Sequence, residues 1–219
     1  MPEPINLNCN KVLSSFRISH LIIVPISKVE SISFIKNVYS DLNIVTLCDS
    51  DDKRSGCDHH LPKNYTYDNL NEKMFDIFKY TCRNFPGYKV YAKMDFDAYF
   101  NKSYATSILK FMIDNSDKKI YYGNPFKKSE NIIFMGGHFY AFTVPLLRNY
   151  CKCNVKKPDM FYEDEWFGHT LNKCTKLLNN GKSNLINYMY MEEDKILHKE
   201  ARFKGVKLDM GHSVYENQK

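Results

Sequence analysis

The sequence lacks the features that would place a chain in a membrane, on a nucleic acid or around a structural metal. Its longest early apolar run, Leu21 to Ile26, is far short of the roughly 18 residues that a membrane span needs. The opening Met1-Pro2-Glu3-Pro4 has neither the basic nor the apolar segment of a secretory leader, so the chain as written is expected to be soluble. The 31 Lys and Arg outnumber the 25 Asp and Glu, but they are scattered rather than gathered into a run, and nucleic-acid binding is not expected. Among seven cysteines the only close pair, Cys151 and Cys153, has no matching second pair, which excludes the usual zinc-knuckle spacing. In an oxidising lumen some of the seven could pair, with at least one left over. Asn64-Tyr65-Thr66 and Asn101-Lys102-Ser103 are acceptor patterns for N-linked glycans, consistent with such a compartment. There is no internal repeat, low-complexity tract or linker.

What is present is enough apolar residue, 43% of 219, to build one moderately large domain with a full core. The expected division is an N-terminal extension over 1–17, a folded domain over 18–215 and a short tail over 216–219. Short apolar runs alternate with helical patterns, which implies an α/β fold rather than a bundle. Residues 21–25 and 43–48 read as buried strands. Leu70, Met74, Ile77, Phe78 and Phe85 mark a helical stripe that Pro86-Gly87 ends, and Asn69 with Glu72 resembles a capping box. A helix over about 103–114 and strands over 119–123 and 132–142 follow. A segment over 145–150 and a helix opening at Glu163 come next, the latter closed by Asn179-Asn180-Gly181. From Asn184 the tail alternates weakly and is expected to add strands that close the site.

Chemistry concentrates at the end of the strand between these helices. Val90, Ala92 and Met94 share one face and Lys89, Tyr91 and Lys93 the other, so an extended chain carries Asp95 and Asp97 out on one side. Two hard oxygen ligands one residue apart suit Mg²⁺ or Mn²⁺, ions that most often hold a phosphate or diphosphate, and the expected donor is a sugar nucleotide. Asp49-Ser50-Asp51-Asp52, also after an apolar strand, is a second such cluster. Gly136 and Gly137 interrupt an apolar strand, which implies either a bulge or the close passage of a ligand or another backbone. Glu163, Asp164 and Glu165 crowd the first turn of a helix, where acidic groups usually serve only the helix dipole. His212 stands alone near the C-terminus, with His198 as an alternative ligand; His59-His60 reads as a solvated loop.

In this order the pieces resemble the β1,3-galactosyltransferase and fringe-like glycosyltransferases, over roughly residues 67–214. Residues 67–73 (YDNLNEK) look like the family's D-x-Y-x-N-L-T-x-K stretch, and Lys93 to Asp97 like its K-T-D-D-D. Residues 137–143 (GHFYAFT) are similar to its G-x-x-Y-v-l-S, residues 163–168 (EDEWFG) to its E-D-v-y-x-G, and His212-Ser213 to its late His. Phe96 in place of the middle carboxylate and Glu165 in place of an apolar residue depart from the pattern.

The resemblance implies a single GT-A-like nucleotide-sugar-binding domain with a mixed, mostly parallel sheet flanked by helices. It implies an inverting, metal-dependent hexosyltransferase that moves a galactose- or N-acetylglucosamine-type hexose from a UDP-sugar to a glycan or glycoprotein hydroxyl, in a Golgi or ER lumen. On it Asp164 is the base; Asp95, Asp97 and His212 hold Mn²⁺ or Mg²⁺; Lys93, Asp95, Gly136 and Gly137 bind the donor; and Glu163 and Trp166 shape the acceptor side. Two other readings stand beside it. Asp95 and Asp97 also look like the strand-end nucleophile motif of haloacid-dehalogenase-type phosphohydrolases, although Tyr99 stands where Thr or Val is expected. A catalytically degenerate sugar- or metal-binding module is the third.

Overall fold

The computed structural model of the chain describes residues 14–127, 132–160, 162–181, 185–192, 195–198, 200–203 and 206–209. A seven-stranded mixed sheet forms its centre, in the order β3-β2-β1-β4-β7-β6-β8. These are β1 (His20–Pro25), β2 (Ile44–Cys48), β3 (His59–His60), β4 (Val90–Met94), β6 (Ile120–Lys127), β7 (Ile133–Thr143) and β8 (Asn187–Tyr190). The pairings β3-β2, β2-β1, β1-β4 and β6-β8 are parallel, and β7 runs antiparallel to both neighbours. This is the mixed, mostly parallel α/β sheet that the family resemblance implies.

Both faces are covered, so the central strands are apolar or aromatic on both sides. On one face Val90, Ala92, Met94, Ile22 and Val24 pack with helix α1 (Ile32–Val38) and helix α3 (Lys102–Asp114). On the other, Leu21, Ile23, Tyr91, Tyr140 and Phe142 meet α2 (Leu70–Asn84), α4 (Val144–Lys152) and α5 (Glu163–Leu177). Phe167 of α5 stacks on Phe78 of α2 at 4.1 Å and on Tyr140 of β7 at 5.2 Å, an aromatic seam that fixes α5 against the sheet.

Local sequence chemistry accounts for most element ends. Ser31 and Asn101 cap α1 and α3 by accepting the backbone N–H three residues on. Asn180 and Gly181 adopt positive φ of 55° and 78°, and the Gly181 N–H returns to the Lys176 carbonyl at 3.0 Å. The expected capping box at Asn69 and Glu72 lies one turn earlier. Thr66 and Asn69 form it around a 3₁₀ turn (Tyr67–Asn69), and Glu72 instead pairs with Lys63 at 2.5 Å and Lys157 at 2.6 Å. Helix α1 and the short strands β3 and β5 (Ala98–Phe100) have no counterpart in the sequence reading. The tail does add strands: β8 extends the sheet edge, β9 (Ile196–His198) pairs with β5, and β10 (Glu200–Phe203) pairs with β11 (Val206–Asp209).

Three disulfides tie this frame together, Cys48–Cys57, Cys82–Cys151 and Cys153–Cys174. The second links α2 to α4 across 69 residues of chain. Closing so long a loop in the unfolded chain implies a contribution of about 4 kcal/mol. Replacing Cys82 and Cys151 by Ala is therefore expected to lower the unfolding free energy by about that amount, as measured by urea titration; no change would show that the pair is not oxidised.

His20 opens β1 and is fully buried, its Nδ1–H donating to the Phe16 carbonyl at 2.8 Å and its Nε2 accepting the Asn43 N–H at 3.2 Å. Burial pushes its pKa from 6.5 down to about 4. The folded state keeps the ring neutral, so its contribution to stability is complete above 6.5 and is lost as pH falls through about 4. The NMR titration of this ring should accordingly show no protonation until pH approaches 4. A midpoint near the free-imidazole value would contradict the buried, neutral assignment.

Candidate functional site

The strand order places a site before any side chain is considered. From β1 the chain proceeds outward through β2 and β3 and then returns to lay β4 on the other side of β1. Loops leaving the carboxyl ends of β1 and β4 therefore diverge, and the crevice between them is where ligands of open α/β sheets bind. The loop that opens at Ile26 leaves one of these ends and the Asp95-Phe96-Asp97 turn the other.

Strand β4 stops at Met94 and the chain turns, with the Ala98 N–H bonded to the Asp95 carbonyl at 3.1 Å. This corrects the expectation of an extended segment with both carboxylates on one face. Phe96, the residue between them, is 3% exposed and enters the core against Phe34 at 6.0 Å. Its burial anchors the turn and keeps Asp95 and Asp97 at the rim, each partly exposed. Two rim carboxylates suit a hard cation that keeps water and phosphate oxygens in its remaining positions. His212 lies outside the described residues. The register sets His198 opposite Ala98, one residue past Asp97.

The second acidic cluster is neutralised within the protein. Asp49 pairs with the buried Lys73 at 2.9 Å, Asp51 with Lys28, and Asp52 with Arg54 at 2.7 Å. Arg54 also donates to the carbonyls of Glu30 at 2.6 Å and Ser27 at 2.8 Å, fixing the loop after β1. Glu30, whose carboxylate accepts the Ser27 N–H at 2.6 Å, is held by burial at a pKa of about 7, with Lys73 opposing. Among the described residues, the one group of three side chains near enough to share a metal is Cys48, Asp52 and Cys57, and its cysteines are joined as a disulfide.

Lys93 organises the other side of the crevice. Its side chain is 3% exposed, and its ammonium reaches Asp95 Oδ1 at 2.7 Å, Glu163 Oε1 at 2.6 Å and the Gly137 carbonyl at 2.5 Å. An ammonium has three N–H donors, so these acceptors satisfy it completely. Burial opposes its charge, and the Asp95 and Glu163 carboxylates overcome that, leaving its pKa above the usual lysine value. Lys93 thus joins β4, β7 and α5 and has no donor left for a phosphate, a correction to its reading as a donor-binding residue.

Strand β7 supplies the matching geometry. Met135 pairs opposite Pro125 but Tyr140 opposite Gly123, so the segment containing Gly136 and Gly137 bulges out of the ladder. The Gly137 N–H donates to Asp164 Oδ2 at 3.0 Å, while its carbonyl holds Lys93. A Cβ on Gly137 would lie 2.7 Å from Glu163 Oε1, and one on Gly136 2.8 Å from the Phe126 ring. The close approach that these glycines permit is therefore by the protein's own side chains, and the space expected for a donor is filled.

Helix α5 reaches this bulge because Gly168 lets it lie flush on β7, where an added Cβ would meet Phe134 Cβ at 2.3 Å. Glu163 then points inward, accepting from Lys93 and from the Tyr140 hydroxyl at 3.3 Å. Burial pushes its pKa up to about 7, with Lys93 opposing and Asp95 and Asp164 adding to the rise. Asp164, only partly buried, accepts N–H groups from Gly137 on Oδ2 and from Glu165 on Oδ1 at 2.8 Å. Both oxygens keep a lone pair. The structure thus brings Asp95, Lys93, Gly137, Glu163 and Asp164 into one cluster. Trp166 is elsewhere: it is 5% exposed and packs near Phe75 and Tyr150, with an edge on a cavity of about 820 Å³ along α5.

Removing the cation tests this arrangement. Lys93→Met leaves the buried Glu163 carboxylate without a counter-charge and should cost about 3–5 kcal/mol of stability. Glu163→Gln in the same chain should restore more than half of the loss, as measured by a double-mutant cycle in urea. Strictly additive losses would show that the two side chains are not coupled.

Comparison with known proteins bears on this geometry. The Galactosyltransferase family profile matches residues 62–133, about a third of the chain, a span that includes Lys93, Asp95 and Asp97 but ends before Glu163 and Asp164. No curated protein sequence matches the chain significantly. Among solved structures, a glycosyltransferase involved in the glycosylation of the major capsid of PBCV-1 is 11% identical, with 80% of this chain and 81% of that one covered and a TM-score of 0.43. The crystal structure of A197 from STIV is 15% identical, with 70% and 78% covered and a TM-score of 0.38. Over residues 62–133 the family match bears out the galactosyltransferase-like resemblance, and it supports glycosyl transfer.

Proposed function

We propose that the protein is a metal-dependent, inverting hexosyltransferase. It moves a galactose- or N-acetylglucosamine-type hexose from a UDP-sugar to a hydroxyl of a glycan or glycoprotein and forms a β-linkage, β1,3 by the family resemblance. One observation carries the reading: Asp164, from a helix some 70 residues along the chain, is hydrogen-bonded to the same Gly137 whose carbonyl holds the Lys93–Asp95 pair. In this reading the carboxylate pair serves a cation and the separate carboxylate a proton, near the switch point of the sheet.

In this reading Asp95 and Asp97 hold Mn²⁺ or Mg²⁺ with the donor diphosphate. The ion, when bound, supplies charge neutralisation to the departing nucleoside diphosphate. Asp97 is the principal ligand by the family resemblance, and Asp95, which also holds Lys93, the second. Asp164 takes the proton from the acceptor hydroxyl as it attacks the anomeric carbon on the face opposite the leaving group. Its two backbone N–H donors fix the direction of its carboxylate. Lys93 and Glu163 do not touch the substrate; they set the distance between the two acidic groups. A match to a galactosyltransferase profile across Asp95 and Asp97 favours this chemistry over phosphoester hydrolysis. Three disulfides favour an oxidising compartment such as a Golgi or ER lumen. Among the described residues no helix is long and apolar enough to cross a membrane.

The reading is tested by incubating the protein with Mn²⁺ and UDP-hexoses and following UDP release, alongside calorimetric titration with UDP. Asp97→Asn should weaken Mn²⁺-dependent UDP binding by about tenfold or more, the loss of one charge-assisted contact. Asp164→Asn should leave that binding within about twofold while lowering transfer by roughly 10²–10⁴-fold, the usual worth of a general base. Phosphate release from a generic phosphoester without any UDP release would overturn the proposal.

A further inference from the structure

The two glycosylation patterns in the sequence play no part in the proposed chemistry, and the fold treats them differently. Asn64 is exposed on the irregular stretch between Leu61 and the 3₁₀ turn. Its Oδ1 accepts the Ser50 hydroxyl at 2.7 Å and the Asp51 N–H at 3.1 Å, so the side chain is oriented by its oxygen alone. No hydrogen bond of Asn64 Nδ2 is seen among the described residues, and the residue is exposed. Thr66, the third residue of the pattern, is also exposed.

Asn101 is exposed too, but it is built into the start of a helix. It caps α3 through Oδ1, its backbone N–H donates to the Lys195 carbonyl at 2.9 Å, and its carbonyl accepts the Ala105 N–H at 2.9 Å. It sits in a recess of about 370 Å³ with Tyr99, Lys102, Ser103, Lys195 and Leu197. A first sugar on Asn101 would have to fit among those side chains. On Asn64 it would extend into solvent.

We infer that Asn64 carries an N-linked oligosaccharide and that Asn101 does not. The three disulfides indicate a compartment in which that modification occurs. In the transfer, a bond forms between Asn64 Nδ2 and the sugar C1 while the bond from C1 to a lipid diphosphate oxygen breaks. Nδ2 loses one proton, and the diphosphate leaves with the bonding electron pair. The co-reactant is a lipid-diphosphate-linked oligosaccharide of the secretory pathway. Oδ1 keeps its lone pairs throughout, so the bonds to Ser50 and Asp51 survive in the product. The glycan would then stand beside the 49–52 loop at the carboxyl end of β2, outside the Lys93–Asp164 cluster. This inference does not rest on the transferase reading.

The test is to express the full chain through a eukaryotic secretory pathway and map its peptides by mass spectrometry, with and without peptide-N-glycosidase. The expected result is one glycan, released with conversion of Asn64 to Asp. Asn64→Gln and Thr66→Ala should each abolish it, and Thr66→Ser should retain it. Because Thr66 also caps the 3₁₀ turn, Asn64→Gln keeps the test decisive if Thr66→Ala fails to fold. Unmodified Asn64 in protein whose three disulfides have formed, or a glycan on Asn101, would overturn the inference. UDP release measured on glycosylated and deglycosylated protein separates this outcome from any failure of the transferase reading.

Discussion

A single buried ammonium determines how this site is assembled. Lys93 lies on a central strand, where an unpaired charge would be very costly, and three oxygens from three separate segments surround it. Each partner belongs to an element with a different origin in the chain: the turn after β4, the bulge of β7 and the first turn of α5. Desolvation makes these contacts obligatory rather than optional, so the acidic groups that meet here are held at fixed separations. The pressure on Glu163 toward neutrality, from burial and from Asp95 and Asp164, is the other side of the same balance.

Packing supports this electrostatic core from behind. Gly168 and the stacking of Phe167 on Phe78 and Tyr140 bring α5 onto β7, and Phe96 draws the acidic turn inward by filling the opposite layer. The side chains nearest the proposed chemistry are thus positioned by residues that never approach it. The second acidic cluster shows the contrast. Asp49, Asp51 and Asp52 have cations of their own and serve to fix loops, although in sequence they resemble the site as closely as Asp95 and Asp97 do.

Much of this was legible in the chain itself. The α/β class and the helix opening at Glu163 follow from apolar periodicity, the mixed, mostly parallel sheet from the family resemblance, which the profile match supports over residues 62–133. The rest was hidden for physical reasons. Helix α1 is two turns long and β3 two residues, too short for a periodic signal. The alternation around Lys93 could not show that both faces of β4 are buried, so the lysine read as available for phosphate when burial and three acceptors commit it to the protein. Gly136 and Gly137 announced a close approach correctly, but no local pattern says whether a ligand or a neighbouring side chain makes it. Trp166 read as part of the acceptor side because aromatic residues line clefts and cores alike; it packs near Phe75 and Tyr150 and edges a separate cavity along α5.

The most direct test of the account is a crystal structure of the protein with UDP and Mn²⁺. It predicts the ion within about 2.0–2.3 Å of an Asp97 carboxylate oxygen, typical of hard oxygen ligation. The diphosphate should lie along the crevice between β1 and β4, and Asp164 should face the anomeric position across it. An ion bound at Asp49 and Asp51, or a diphosphate on the far side of the sheet from Asp164, would contradict it.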